Sequence, residues 1–440
     1  MPSVPFTTQT RVARFRDQRW LIDKIVELAG PEFDQSRLHY YSAPMSPDLA
    51  GAVMGLAGQI KRWDDMTREF ARTARRFELQ AIAAQAQGHA VTASDGFFAA
   101  SVMFGAAQWP IFENTDLNHA LERKKTECYQ AYIPAADHRI EAVEVPYGDT
   151  TVPGWFHLPP GYIEGTKLPC LVMVSGMDAF KELQIGASAD RFLRRGFALL
   201  MLDGPGQGTC LTRGIWYDPD RFGEVGTAAF DAMAARPEVD GNRIMAWGLS
   251  FGSFWATQMA AAEPRFAACA VMYNCFQPRN WPLYEMAAPS FKQRFLYMTG
   301  VEDEAAFEAV MDRMDVIALS SKLTMPYFVM CGEDDSLSDV ACTIEHLNHV
   351  PGPKMLVMYA GEEHGMGGSR SSQLGSPFFP MIADWLADRA AAKPLESTYN
   401  VVDTLGQMHT EPWGKHRTHQ HGAPLGVEQL WSERPPGGVS

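Results

Sequence analysis

A mixed, mostly parallel β-sheet covered by helices on both faces, with a block of helices in front of it, is the fold class the sequence predicts. Three observations carry this. From residue 168 onward, short apolar runs alternate with helical ones. Two alternating runs ahead of them flank a turn, which makes an antiparallel start. One strand-to-helix junction reads Gly248-Leu249-Ser250-Phe251-Gly252, a sharp turn that presents a serine.

Taken in order, residues from Phe15 to Tyr132 follow a helical period, with Trp20 to Leu28 and Trp63 to Ala86 the clearest segments. A third, Gly96 to Trp109, has Asp95 or Ser94 in the capping position. It is apolar nearly all round, so it reads as core between helices or, at Phe104, as the wall of a substrate pocket. Residues 1–135 are therefore expected to form a helical lid domain. Ile140 to Pro146 and Val152 to Leu158 flank Tyr147-Gly148-Asp149-Thr150 as a hairpin. Leu168 to Ser175, Phe197 to Leu202, Arg243 to Trp247, Ala268 to Tyr273, Met325 to Cys331 and Met355 to Tyr359 are the following strands. Ala187 to Arg195, Thr227 to Ala235 and Ser338 to Asn348 are helices between them. Ligands of such a sheet gather at the carboxyl ends of its strands. The catalytic domain is expected over 136–392, with an excursion at 276–323 that helps to cover the site. Residues 393–440, rich in Pro, Gly and His, read as an extended tail.

The junction at Ser250 needs partners, because a serine hydroxyl is a weak nucleophile without a base and the base needs an orienting acid. Phe328 to Cys331 is an apolar strand followed by Gly332-Glu333-Asp334-Asp335. The usual spacing after that strand selects Asp335 over Glu333 and Asp334. Past the next strand, Ala360-Gly361-Glu362-Glu363-His364 carries the histidine. The order Ser250, Asp335, His364 is that of a nucleophile-elbow hydrolase. An oxyanion hole takes one backbone amide after the nucleophile, Phe251, and one after an earlier strand, where Ser175-Gly176-Met177-Asp178 offers Met177. Asp203-Gly204-Pro205-Gly206-Gln207-Gly208 is not a dinucleotide fingerprint, since its spacing is G-x-G-x-G and no helix opens directly behind it; it reads as a tight turn beside the site. His346, His349, His409, His416, His419 and His421 lack acidic or Cys partners at ligand spacing, and no metal or cofactor is expected.

Composition bounds the rest. The 440 residues are 46% hydrophobic and carry a formal charge of −14, which disfavours nucleic-acid and anionic membrane partners and suits a small-molecule substrate. The N-terminus lacks the apolar core of a secretory signal, no apolar run approaches a membrane span, and seven cysteines without a C-x-x-C pair fit a reducing compartment. The expectation is a soluble cytoplasmic protein, with an exposed sheet edge and a long tail compatible with a homodimer.

With these residues in view the chain resembles the α/β-hydrolase family of 2,6-dihydroxypseudooxynicotine hydrolase and the fungal hydrolases that shorten polyketide chains. The likeness rests on Ser175 to Glu182, Asp203 to Gly208, Gly248 to Gly252, Glu263-Pro264-Arg265 and Ala383-Asp384-Trp385-Leu386. Ser253 and Ser175 stand where glycine is more usual. The resemblance implies hydrolysis of a carbon-carbon bond beside a ketone through an acyl-serine, and it places Glu285, near Trp281 and Tyr284, against the substrate. Carboxylesterase or acyltransferase chemistry on the same triad, and a non-catalytic binding scaffold, remain open at this point.

Overall fold

The computed structural model describes residues 19–186, 190–301, 303–365 and 367–414. Among the described residues six α-helices come first: α1 (Arg19–Ala29), α2 (Arg37–Ser42), α3 (Pro47–Met54), α4 (Trp63–Ala86), α5 (Ala90–Gln108) and α6 (Asp116–Tyr132). In α4 the buried residues Trp63, Met66, Phe70, Ala74, Phe77 and Ala81 recur three and four apart, a stripe that faces its neighbours. Its first turn is closed by Asp65, whose carboxylate accepts the amides of Lys61 and Arg62 at 2.9 Å each, two donors that would otherwise be orphaned. The helices α4 and α5 approach closely because Gly96 has no side chain; a Cβ there would stand 2.9 Å from that of Ala81.

Two expectations about α5 need correction. The helix begins at Ala90, not at a cap on Ser94 or Asp95. Ser94 is turned inward, and its hydroxyl donates to the Tyr132 carbonyl at 3.2 Å, so it bridges helices and does not close the first turn. By length and composition α5 is also apolar enough to cross a membrane, contrary to the reading that no run approaches that length. Here 78% of that window is buried inside the protein, against α4 and α6.

The sheet contains β1 (Arg139–Tyr147), β2 (Thr150–Leu158), β3 (Leu168–Val174), β4 (Ala198–Leu202), β5 (Val239–Leu249), β6 (Cys269–Met272), β7 (Tyr327–Gly332), β8 (Lys354–Tyr359), β9 (Thr398–Val402) and β10 (Met408–Pro412). Their order is β1-β2-β4-β3-β5-β6-β7-β8-β9-β10. The strands from β4 to β9 run parallel, with antiparallel β1, β2 and β10 at the two margins. The pleat divides the interior in two. Val172, Leu200, Ala246 and Val329 face one apolar cluster, shared with helices α7 (Phe222–Ala234), α8 (Phe251–Ala262), α9 (Pro289–Thr299) and α10 (Val340–His349). Met173, Met201, Trp247 and Phe328 face the other, shared with the N-terminal helices and α11 (Phe378–Ala390).

The N-terminal helices are thus continuous with the core over one face of the sheet. The reading of 393–440 as an extended tail also fails where it is described: β9 pairs with β8 in parallel and β10 closes the margin. Tyr399 and Val402 are buried there, and the short β-branched run Thr398-Tyr399-Asn400-Val401-Val402 was obscured by the Pro- and Gly-rich composition around it. His364 therefore follows β8, which is not the last strand. His416, His419 and His421 lie outside the described residues.

Candidate active site

Ser250 closes β5 and opens α8 with φ 55° and ψ −126°, a region that a non-glycine residue occupies only where its surroundings enforce it. The enforcement is steric on both sides. A Cβ at Gly248 would stand 2.0 Å from the Gly252 carbonyl oxygen, and one at Gly252 would stand 2.5 Å from that of Val174 on β3. Only glycines let strand, turn and helix close here. The Ser250 amide donates to the Met272 carbonyl at 2.9 Å, tying the turn to β6. Ser253, the departure from glycine, accepts the Cys275 amide on its hydroxyl at 2.9 Å and anchors the chain leaving β6.

The three residues predicted as a catalytic set are brought together. Ser250 Oγ lies 2.9 Å from His364 Nε2, and His364 Nδ1 lies 2.8 Å from Asp335 Oδ2. The other carboxylate oxygen of Asp335 accepts the amides of Leu337 and Ser338 at 2.9 and 3.2 Å, so the acid is held from both ends. The choice among three neighbouring acids is now visible. Glu333 accepts the Gly361 amide and closes the turn after β8, Asp334 is exposed, and Asp335 is buried against the imidazole. Gly332 lets the histidine loop pass, because a Cβ there would meet the Glu362 carbonyl oxygen at 2.2 Å. Burial alone would disfavour the imidazolium, but the Asp335 carboxylate outweighs it and, with a smaller contribution from Asp178, raises His364 above its ordinary 6.5.

The loop after β3 runs past the serine. A Cβ at Gly176 would be 3.2 Å from the Ser250 Cβ, so the Met177 amide follows directly on the closest approach to the nucleophile. Among the described residues neither the Met177 nor the Phe251 amide donates to another protein group, although both residues are buried. The conformation of this loop is set by Gln207, from the Gly-rich turn after β4. Its Nε2 donates to the carbonyls of Ser175 and Gly176 at 3.1 and 2.7 Å, and its Oε1 accepts the Gly204 amide at 3.3 Å. Gln207→Ala would leave these buried backbone groups unpaired, at about 1–3 kcal/mol each. The expected result is a clearly lower melting temperature and a kcat reduced roughly tenfold or more with KM changed less, since the loss of one oxyanion donor alone costs about 100- to 1,000-fold. Steady-state kinetics beside a thermal melt would check both.

Several contributors escaped the sequence reading. Asp178, next to Met177, accepts Arg37 Nη1 and the Tyr40 hydroxyl of α2 at 2.9 Å each, while Arg37 also pairs with Asp34 and lies 3.3 Å over the Trp109 ring. The helical block is thereby bolted to the loop that carries Met177. A second link is buried deeper, where Lys181 pairs with Asp203 at 2.8 Å and with Glu182 at 2.9 Å, and Lys125 of α6 pairs with Glu122 and Glu182. Burial pushes the Asp203 carboxyl up, yet the two ammonium groups prevail and hold it at about 2. Charged residues three apart on a helix usually mark a solvated face, so nothing in the α6 pattern announced this role.

The expected substrate contacts are placed differently from the triad. Phe104 is buried among the helices, and Tyr284 meets Phe295 in a tilted contact and Phe307 edge-to-face, with ring centroids 4.8 and 5.3 Å away. Glu285 pairs with Lys292 at 2.9 Å, and Trp281 is 43% exposed. Of this group Tyr284 comes nearest in packing, since Phe295 in turn meets the Phe251 ring at 5.1 Å. His346 is satisfied internally by Ser320 and Tyr327, and burial pulls it down to about 3.

The family model described as "Esterase FrsA-like" matches residues 42–277, more than half of the chain. The chain belongs to the esterase FrsA-like family. A model of the prolyl oligopeptidase family also matches residues 224–389, which span the serine, the acid and the histidine. Among relatives of this FrsA-like chain, the α/β hydrolase ucsC of Acremonium is 27% identical over 67% of the chain and 60% of the relative. The chain thus spans less than two thirds of that relative's length. The 2,6-dihydropseudooxynicotine hydrolase of Paenarthrobacter nicotinovorans is 26% identical over 63% of the chain and 75% of the relative. The crystal structure of a 2,6-dihydroxy-pseudo-oxynicotine hydrolase superposes with a TM-score of 0.68 at 22% identity, covering 82% of this chain and 97% of that one, which establishes a shared α/β-hydrolase fold. This FrsA-like chain has the α/β-hydrolase fold, with Ser250, His364 and Asp335 in hydrogen-bonded order at the end of its strands.

Proposed function

We propose that this chain is a serine hydrolase that cleaves a carbon-carbon bond next to a ketone, in a 1,3-diketone, acylated aromatic or polyketide-type substrate. The observation that carries the catalytic part is the relay from Ser250 Oγ through His364 to Asp335, on a strained elbow that faces two free amides. Ser250 passes its proton to His364 Nε2 and adds to the ketone carbon, and the amides of Met177 and Phe251 hold the resulting oxyanion. Collapse breaks the carbon-carbon bond; the electron pair leaves as an enolate or ring-stabilised carbanion, which takes the proton from His364. Water, deprotonated by His364, then frees the carboxylic acid and restores Ser250. Only a delocalised carbanion makes a tolerable leaving group, which limits the substrate class.

The carbon-carbon step is supported by the likeness to the 2,6-dihydropseudooxynicotine hydrolase. A second reading, an ordinary carboxylesterase on the same groups, is favoured by the description of the matching family as esterases. The two separate when wild type and Ser250→Ala are each offered an aryl ester and an aryl 1,3-diketone at equal concentration and the products are identified by mass spectrometry. Serine-dependent conversion of the diketone to acid plus ketone is expected. Cleavage of the ester alone would reject the carbon-carbon reading.

A further inference from the structure

Arg294 takes no part in the chemistry above, yet its position is costly. It lies on α9, in the excursion between β6 and β7, and is 5% exposed. A buried guanidinium has exchanged water for whatever acceptors the protein offers, and charges are normally buried only when paired. Among the described residues Arg294 makes no hydrogen bond and no ion pair. Its Nε is buried without an acceptor, and its recorded contact is the Tyr297 ring, 5.6 Å from the guanidinium carbon. Arg37, fully buried, shows what a satisfied arginine looks like here, with Asp34, Asp178 and Tyr40 all within 3.1 Å.

Burial pulls Arg294 below its ordinary range, with Tyr297, Asp178 and Tyr41 opposing that shift and Arg37 adding to it. For Arg37 the burial penalty is overcome by its neighbours, Asp34 foremost, and the value goes up. Asp178 is thus the acid close to Arg294, and its Oδ2 is already engaged by Arg37 and Tyr40.

Arg294 lines a narrow, partly open cleft of about 20 Å³, room for little more than one polar group or water, together with Gln108, Trp109, Asn118, Asp178 and Tyr297. Two features connect this cleft to the residues around the serine. Its wall includes Asp178, Ala179 and Phe180, the residues that follow Met177. The residue after Arg294 is Phe295, whose ring meets that of Phe251, the other oxyanion position.

We infer that Arg294 is a specificity residue that binds a delocalised anionic oxygen of the substrate, a carboxylate or the enolate of an acidic 1,3-dicarbonyl. This rests on the reading of Ser250 as the nucleophile of the same site. A planar guanidinium donates in parallel to the oxygen pair of a carboxylate, or to the one charged oxygen that an enolate presents, which supplies the acceptor that the protein withholds.

The test is calorimetric and independent of turnover. Benzoate, the enolate of dimedone, and neutral benzamide are titrated at pH 7.5 into the Ser250→Ala protein, then into Ser250→Ala carrying Arg294→Met or Arg294→Lys. At least one anion should bind tenfold or more tightly than benzamide, and which of them does identifies the carboxylate or the enolate as the recognised group. That preference should be lost in Arg294→Met, as expected when one partner of a buried charge pair is truncated, and survive in part in Arg294→Lys. Equal binding of anions and benzamide, no binding of either anion, or a preference untouched by Arg294→Met would overturn the inference. Should Arg294→Met fail to fold, the comparison of anions with benzamide and the Arg294→Lys titration decide it. Wild-type turnover of the neutral aryl ester and diketone is measured alongside. Turnover without anion preference rejects only the role of Arg294, whereas no turnover and no phosphonate labelling of Ser250 rejects the reading beneath it.

Discussion

Ser250→Ala is expected to lower turnover by at least about 10⁴-fold while the protein melts at nearly the same temperature. The substitution removes one oxygen, and the backbone remains at φ 55° because the packing of Gly248 and Gly252 imposes it. That strain offers an internal control. Ser250→Gly relieves a left-handed conformation that costs on the order of 1 kcal/mol or more, so it should be inactive and also somewhat more stable than wild type. A pair of variants that lose activity while stability stays level in one and rises in the other separates a chemical role from a structural one. Mass-spectrometric mapping of a serine-reactive phosphonate should find the adduct on Ser250. Substantial turnover by Ser250→Ala would exclude the covalent mechanism.

Asp335→Asn should cost about 10⁴-fold in kcat, because an amide in that position favours the wrong imidazole tautomer and leaves the imidazolium unsupported. The pH profile carries an independent signature. As a base His364 works neutral, and Asp335 favours its protonated form, so the folded pKa lies above 6.5. Activity of the wild type should therefore be lost as pH falls through that raised value, with an acid limb above 6.5. In Asp335→Asn the attraction is gone while burial remains, so the limb of the residual activity should move to lower pH. The same substitution at Asp334, which is exposed, should leave both rate and profile nearly unaltered. A limb that stays in place in Asp335→Asn would mean that another group controls the titration.

Much of the site was legible because its demands are local. A nucleophile elbow needs two glycines at fixed offsets, and an acid or histidine at the end of a strand is displayed at the sheet's carboxyl edge by the strand itself. Gly248, Ser250, Gly252, Asp335 and His364 could thus be read from spacing, and the strands up to β8 from their apolar runs. The strand β9 was missed because its short run is set in turn-forming composition, and its pairing with β8 is a long-range fact. Gln207 sat in a recognised turn, but its amide reaches back to Ser175 and Gly176, across residues that only the parallel pairing of β3 with β4 makes neighbours.

By itself, the sequence determined the fold class, the helix-period block ahead of the sheet, the order of serine, acid and histidine, and the two backbone positions next to them. These follow from periodicity and from short-range sterics, which are properties of neighbouring residues. Tertiary structure alone decided which charges are buried and what faces them. Arg37 and Arg294 are both arginines on helices, indistinguishable by pattern, yet one is enclosed by two carboxylates and the other meets an aromatic ring and a cleft. The same holds for Lys125 and Lys181, whose buried pairing exists only once α6 is laid against the loops after β3 and β4. The physical reason is that the free energy of a charge depends on its three-dimensional surroundings, through desolvation and partners drawn from distant parts of the chain, and a local pattern does not contain them.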